Sequence, residues 1–220
     1  MKKLAPFILF TFFAATGAHA LPLKVVQVSA PPINCVFDAS CTVVVTDTTA
    51  AIHLPGSTGT GFLQSRTFRG LPGSPAAGLY AYLYRVDLRN AAGVTNIACV
   101  NSVTINFGPV VSTLDYNGDK TTGDQVFVVT GGGIGSVGIA SANQMGSNIT
   151  FNFSSPVCVG SSPGAGQSSF FWGLVSGRPP RFVSATVNHT SGPALHVRAR
   201  APFFFLRGGV AKFGGRRRGE

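Results

Sequence analysis

The stretch that decides the fold is residues 78–111, GLYAYLYRVDLRNAAGVTNIACVNSVTINFGPVV. Its first half alternates with a period of two, as a β-strand does. One face of this strand carries Tyr80, Tyr82, Tyr84, Val86 and Leu88. Turn residues at 90–93 interrupt the run, and a second apolar stretch follows at residues 95–107. The pattern predicts a β-hairpin at the centre of an all-β domain.

Short strand-like segments separated by turn residues continue along the rest of the chain. They lie at residues 23–28, 42–46, 61–69, 110–116, 125–130, 149–153, 170–175, 182–189 and 195–200. The run Thr-Val-Val-Val-Thr at 42–46 is typical of a buried strand. No segment keeps a helical period over three turns. About ten short strands predict an antiparallel β-sandwich or a jelly-roll-like fold, extending over residues 21–200.

The N-terminus has the features of a signal peptide, which we assign to residues 1–20. Lys2 and Lys3 precede an apolar stretch at residues 4–15, and Ala-His-Ala at 18–20 matches a cleavage site. The apolar stretch is too short for a lasting membrane span, and none follows it. We therefore expect a protein that is secreted or held at the cell surface.

Four cysteines, Cys35, Cys41, Cys99 and Cys158, follow the predicted signal peptide. An even number of cysteines in an exported chain indicates two disulfides, for which three pairings exist. We favour Cys35–Cys41 as a local clip and Cys99–Cys158 as a link between distant strands. A zinc site is disfavoured because the chain has no C-x-x-C motif.

Positive charge is concentrated at the C-terminus. The full chain has 17 basic and 7 acidic residues, a net charge of +10. Residues 198–220 contribute seven basic residues and one acid, a net of +6. All of these except Arg198 and Arg200 belong to a predicted tail at residues 201–220. We expect Arg216, Arg217 and Arg218 to attract anionic cell-surface components or acidic polysaccharide, without specificity for nucleic acid.

Asp115, Asn117 and Asp119 occupy positions 1, 3 and 5 of a calcium-loop pattern, with Asp124 at position 10. Calcium prefers such clusters of hard oxygen ligands. The pattern lacks the glycine of position 6, where Lys120 stands, and the acidic ligand of position 12. We favour a hairpin turn for the same residues, because Asn-Gly favours type I′ geometry. A weak calcium site and a purely structural turn both remain open; no other cofactor is expected.

Two glycine-containing motifs resemble catalytic or nucleotide-binding signatures. Residues 133–138 match G-x-G-x-x-G, but no acidic residue occurs between Asp124 and Glu220, so we interpret them as a turn. Residues 160–164 match G-x-S-x-G, with His189 and His196 among the available bases. Pro163 favours a loop over the helix that a nucleophile elbow requires. A secreted hydrolase is therefore only an alternative.

Aromatic residues allow two interpretations. Residues 170–172, Phe-Phe-Trp, are typical of core aromatics, but a surface platform for sugar stacking has the same composition. On the second interpretation, Trp172 and the tyrosine face of Tyr80, Tyr82 and Tyr84 would bind a ligand. The chain would then be a carbohydrate-binding module.

Residues 202–218, PFFFLRGGVAKFGGRRR, combine a proline, an apolar glycine-containing stretch and a terminal arginine cluster. In this order and position they resemble the C-terminal sorting tails of bacterial PEP-CTERM exported proteins. The resemblance implies an exported β-sandwich and transfers no catalytic residue. Together with the absence of a convincing catalytic constellation, it leads us to expect a non-enzymatic protein of the cell surface or extracellular matrix.

Overall fold

The computed structural model describes residues 20–109 and 112–203. These residues form fourteen strands and one short helix, α1 (Pro32–Cys35). The strands are β1 (Leu21–Leu23), β2 (Val25–Ser29), β3 (Thr46–Ile52), β4 (Ser57–Thr58), β5 (Gly61–Arg69), β6 (Tyr80–Asp87), β7 (Ala92–Gly93), β8 (Cys99–Asn106), β9 (Val126–Gly131), β10 (Ile139–Met145), β11 (Asn148–Cys158), β12 (Trp172–Ser176), β13 (Pro180–His189) and β14 (Leu195–Pro202). The prediction of an all-β fold is confirmed.

Twelve of the strands form two six-stranded sheets that enclose one core. Sheet 1 has the order β1-β10-β11-β8-β13-β14, and sheet 2 has the order β2-β9-β12-β6-β5-β3. The strands of sheet 1 pair antiparallel, whereas sheet 2 includes a parallel pair formed by β2 and β9. This arrangement is a β-sandwich, as predicted.

The hairpin predicted from residues 78–111 is wrong. β6 belongs to sheet 2 and β8 to sheet 1, and residues 88–98 cross from one sheet to the other. The two segments face each other across the core, where the rings of Tyr82 and Phe107 lie 5.3 Å apart. The pattern located both strands, but it could not distinguish paired neighbours from strands in opposite layers, because both arrangements bury one apolar face.

Aromatic side chains occupy the centre of the core. Trp172 is fully buried, and its ring lies 5.4 Å from that of Phe153 and 6.1 Å from that of Tyr84. The Tyr84 hydroxyl donates a hydrogen bond to the Arg200 carbonyl at 2.6 Å and so joins the two sheets. Burial raises the pKa of Tyr84 well above its ordinary value, so this hydroxyl stays protonated and keeps its donor role.

A second apolar cluster covers part of the outer face of sheet 2. Residues 30–41, which include α1, place Phe37 on Phe68 with the ring centroids 4.9 Å apart. Leu83, on the face of β6 that points away from the main core, joins this cluster. β6 is therefore buried on both faces, which explains why its second face is also largely apolar.

The buried strand predicted at residues 42–46 is wrong. β3 begins only at Thr46, and Val44 in the preceding loop is 90% exposed. The Cys35–Cys41 disulfide ties the start of the loop to α1, and Cys41 has a φ of 60°, which turns the chain. The pairing of β3 with β5 starts at Thr46, opposite Thr67, so residues 42–45 leave the edge of sheet 2 although β5 continues to Arg69.

Other predicted strands match to differing degrees. β5 has the predicted bounds, and β14 continues two residues further than expected, to Pro202. Residues 112–116 contribute only isolated bridges, at Ser112 and Leu114. β10 was not predicted; it follows the glycine-rich segment 131–138, which is a turn between strands as expected.

Both predicted disulfides are confirmed. Cys35 bonds to Cys41 and Cys99 to Cys158, and no cysteine is free in the described chain. Cys99 and Cys158 are direct cross-strand partners of β8 and β11. In residues 20–109 and 112–203, no helix has the length and apolar character needed to cross a membrane.

Candidate functional site

The outer face of sheet 1 is an array of small polar side chains. Because successive residues of a strand point to opposite sides, the strand register aligns these side chains in rows that cross the sheet. One row is Asn143, Thr150, Thr104, Thr186 and His196, and the next is Ser141, Asn152, Ser102 and Asn188. Their inward-facing neighbours, such as Val103 and Val187, are fully buried in the core.

Hydrogen bonds order the second of these rows. The Asn152 amide donates to the Ser141 hydroxyl at 3.0 Å, and the Asn188 amide donates to the Ser102 hydroxyl at 2.9 Å. The same amide–hydroxyl pair thus occurs twice along one row. Side chains that are already ordered lose less conformational entropy when they bind a ligand.

Two arginines flank an exposed phenylalanine at the β13–β14 end of the face, and we call Phe182, Arg198 and Arg200 the Arg–Phe corner. The Phe182 side chain is 44% exposed. The guanidinium carbon of Arg198 lies 4.1 Å from the centroid of its ring, and that of Arg200 lies 4.5 Å from it. Such cation–π contacts hold long, flexible side chains close to the sheet.

Sheet 1 carries positive charge without acidic neighbours on its own strands. None of its six strands contains an aspartate or a glutamate. Arg198 and Arg200 lie on the outer face beside Phe182, whereas Arg181 is the register partner of the fully buried Ala201 and belongs to the other face. Every aspartate of the described residues lies in sheet 2 or in a loop; they are Asp38, Asp47, Asp87, Asp115, Asp119 and Asp124. The outer face of sheet 1 is therefore suited to an anionic partner.

The aromatic residues predicted to stack on sugars do not form a surface. Trp172, Tyr82 and Tyr84 are fully buried, so the prediction of ligand binding is wrong for them, and the interpretation of Trp172 as a core residue is confirmed. A sandwich buries the aromatic face of a central strand between its two sheets. Tyr80 is partly buried, with the guanidinium carbon of Arg69 lying 5.5 Å from its ring centroid.

Asp115, Asn117 and Asp119 lie together in the loop that precedes β9. The Asp115 carboxylate accepts hydrogen bonds from the backbone N–H groups of Gly118, Asp119 and Lys120 at 2.7, 3.1 and 2.7 Å. These bonds stabilise the turn. The described residues hold no group of three or more His, Cys, Asp or Glu side chains arranged for a metal ion. Calcium binding by this loop stays a prediction.

Asp124, the fourth residue of the calcium-loop pattern, forms an ion pair with Lys24 and does not join the other three residues. Its fully buried side chain lies 2.8 Å from the Lys24 ammonium and accepts the Tyr116 backbone N–H at 3.0 Å. The hydrogen bond with Asp124 raises the pKa of Lys24. The pair anchors the junction of β1 and β2 to the start of β9.

The G-x-S-x-G match at residues 160–164 lies in the loop between β11 and β12, and the next element of the described chain is a strand. The strand-to-helix turn of a nucleophile elbow is therefore missing here. The candidate bases also contact other side chains. His189 Nδ1 lies 3.0 Å from the Ser191 hydroxyl, and His196 Nδ1 lies 3.3 Å from the Thr186 hydroxyl.

Two predicted elements lie outside the described residues. These are the signal peptide, except for Ala20, and the basic cluster of Arg216, Arg217 and Arg218. The C-terminal tail enters the description only at residues 201–203, of which Ala201 and Pro202 belong to β14.

The chain matches no protein-family model, no curated protein and no solved structure. Its function is therefore inferred from the outer face of sheet 1 and from the chemistry of its own residues.

Proposed function

We propose that this chain is an exported, non-enzymatic β-sandwich protein of the cell surface or extracellular matrix that binds acidic polysaccharide. The observation that supports it is the outer face of sheet 1, which combines ordered amides and hydroxyls with the Arg–Phe corner and has no acidic residue on its strands. The proposed binding surface is this polar face, and not Trp172 and the β6 tyrosines from which carbohydrate binding was predicted.

The chemistry of the face fits a polymer of acidic sugars. Guanidinium groups bind carboxylates through two parallel hydrogen bonds, which are about twice as strong as neutral ones. Amide and hydroxyl groups are the natural partners of sugar hydroxyls, and the rows of sheet 1 present both. The exposed part of the Phe182 ring offers an apolar surface for the C–H face of a sugar ring.

An extended polymer also suits the shape of the face. The two rows share β10, β11, β8 and β13, which are four neighbouring strands, and the first row continues to His196 on β14. At about 4.8 Å between strands the four shared strands extend for roughly 14 Å, the length of about three sugar units. Many individually weak contacts along one chain then combine through their high effective concentration.

Export fits the same function. The predicted signal peptide directs the chain to the outside, where the two disulfides are stable. The basic cluster of Arg216, Arg217 and Arg218 would add a second, less specific contact with the same anionic polymer.

Titration of the full exported chain with a polyuronate, and with a neutral glucan of the same length, tests the proposal. Binding should be confined to the polyuronate and should weaken steeply between low and physiological salt, because the contacts are largely ionic. Equal affinity for the neutral glucan would contradict it. Shortening of either polymer during the incubation would instead identify a hydrolase.

A further inference from the structure

A groove of about 370 Å³ opens on the outer face of sheet 2, beside the part that residues 30–41 cover. Its floor is apolar and nearly buried, at 7–8% exposure for each side chain, and consists of Phe68, Leu83, Val129 and Phe171. Its walls are the loop at residues 42–45 and the glycine-rich turn at residues 132–134. A smaller hollow adjoins it at Val43.

The rim of the groove and of the adjoining hollow exposes aliphatic side chains. Val44 is 90% exposed, Ile134 57% and Leu71 47%. Single exposed aliphatic residues are common on protein surfaces, but a cluster around a concave apolar floor marks a contact site. The misprediction of residues 42–46 has the same origin: Val44 and Val45 are exposed at the groove and its hollow, and only Val43 packs against the second apolar cluster.

The groove is close to electrically neutral. Its one lining arginine, Arg66, makes a two-point ion pair with Asp47, with both N–O distances at 2.8 Å. The hydrogen bond from Arg66 holds the pKa of Asp47 below its ordinary value, so the pair stays charged and self-compensated. The guanidinium carbon also lies 4.7 Å from the Phe171 ring centroid. Such a site favours an apolar occupant over an anion.

We propose that the apolar part of the C-terminal segment, residues 204–213, docks in this groove of its own chain. That segment reads FFLRGGVAKF, and its apolar side chains follow directly on the last described residue, Phe203. Burying a phenylalanine or leucine side chain contributes about 1.5–3 kcal/mol. The segment and the groove each have apolar surface that the other can cover.

The described chain ends near the groove. The Phe203 N–H bonds to the Pro179 carbonyl, three residues after β12 ends at Ser176. Ser176 pairs with Tyr80, and Tyr80 pairs with Arg69, which is adjacent to Phe68 on the groove floor. The segment therefore starts at the end of sheet 2 that carries Arg69, and Arg69 lines the hollow that adjoins the groove.

The length of the segment is sufficient. The groove floor crosses β5, β6, Phe171 just before β12, and β9, or roughly 14 Å at about 4.8 Å between strands. Residues 204–220 number 220 − 203 = 17 and can span up to about 56 Å when extended. Four or five residues fill the groove, and the basic end remains outside.

Charge also favours this groove over the opposite face. The adjoining hollow is lined by one acid, Asp38, and one arginine, Arg69, so its charges balance and Asp38 is the one carboxylate there with which Arg207 of the segment can pair. The outer face of sheet 1 carries arginines and no acid on its strands, so it would repel the basic residues of the same segment.

Hydrogen–deuterium exchange of the full exported chain tests the docking. Three forms are compared: the unaltered chain, a groove variant (Val45→Asp with Ile134→Asp) and a control (Val94→Asp with Ile97→Asp). Val94 and Ile97 are 67% and 60% exposed in a different loop, so the control adds the same charge to an exposed apolar pair. Circular dichroism verifies that all three fold.

Docking predicts that amides of residues 204–206 exchange about tenfold more slowly in the unaltered chain and in the control than in the groove variant. Rapid exchange of these amides in all three forms would overturn the proposal. Slow exchange that disappears on dilution to monomer would overturn it as well, because the segment would then belong to a second copy. Slow exchange retained in the groove variant would place the segment elsewhere.

Discussion

The guanidinium carbon of Arg198 lies 4.1 Å from the centre of the Phe182 ring, diagonally across the β13–β14 pair. The contact joins the most exposed aromatic residue of sheet 1 to a cation that has no acidic neighbour on the strands of its sheet. Arg200, directly opposite Phe182 in the register, holds a second cation over the same ring. Positive charge is thus concentrated at one end of a polar face.

Replacing Trp172 should affect stability rather than binding. Trp172→Ala removes a fully buried ring that contacts Phe153 and Tyr84, and we expect the free energy of unfolding to fall by about 3–5 kcal/mol. Urea denaturation measures it. The matched variant is Phe182→Ala on the exposed face, which should change stability by less than about 1 kcal/mol but weaken polyuronate binding. Equal loss of stability in both variants would contradict this assignment.

The two disulfides should stabilise the chain unequally. Cys99–Cys158 spans 59 residues and Cys35–Cys41 only 6. Loop-closure entropy then predicts a loss of about 4 kcal/mol for Cys99→Ala with Cys158→Ala and of about 2 kcal/mol for Cys35→Ala with Cys41→Ala. Denaturation curves of the two double variants provide the comparison. A larger loss from the short loop would show that the 42–45 loop is needed for folding.

Calcium should bind weakly at most. The Asp115 carboxylate already accepts three backbone N–H groups, and the Asn117 amide donates to Asp119 at 3.0 Å. Calcium would have to compete with the Asn117 amide for the Asp119 carboxylate. We expect calorimetry to detect no site tighter than about millimolar. Calcium should leave the melting temperature unchanged both in the unaltered chain and in Asp119→Asn. A micromolar site lost in that variant would establish a calcium loop.

The basic end of the chain should act independently of the fold. Deleting residues 214–220 removes Arg216, Arg217 and Arg218 together with Glu220 and leaves the apolar segment intact. We expect an unchanged melting temperature and weaker, less salt-sensitive binding to anionic vesicles, because these contacts are Coulombic. Unchanged vesicle binding would place the membrane-directed charge on the described body.

Periodicity located β5, β6, β8, β13 and β14 because each of these strands buries a face. Alternation alone predicts the inward residues of β6 and the two faces of β13. The outward face of β13 consists of Phe182, Ser184, Thr186 and Asn188. The candidate site did not follow, since it depends on register. Only the pairing of β13 with β14 and β8 places Arg198 and Thr104 beside the outward residues of β13.

Composition also led to wrong predictions for the valines at 43–45 and for the tyrosines of β6. The valines at 43–45 have the composition of a core strand, but they follow the disulfide at Cys41 and precede Thr46, where the pairing of β3 with β5 begins, and so lie in a loop. The tyrosines of β6 could equally have formed a surface or a core. Only the position of β6 inside sheet 2 decides between the two.

The comparison of Arg198→Ala with Arg69→Ala tests the central claim most directly. Each variant removes one arginine that lies over an aromatic ring, on sheet 1 and sheet 2 respectively, so the two variants change the net charge alike. Titration with a polyuronate at low salt should show affinity about tenfold weaker for Arg198→Ala, the loss of one charge-assisted contact. Arg69→Ala should bind as the unaltered chain does. Equal weakening in both variants would show that only net charge matters and would contradict a binding face on sheet 1.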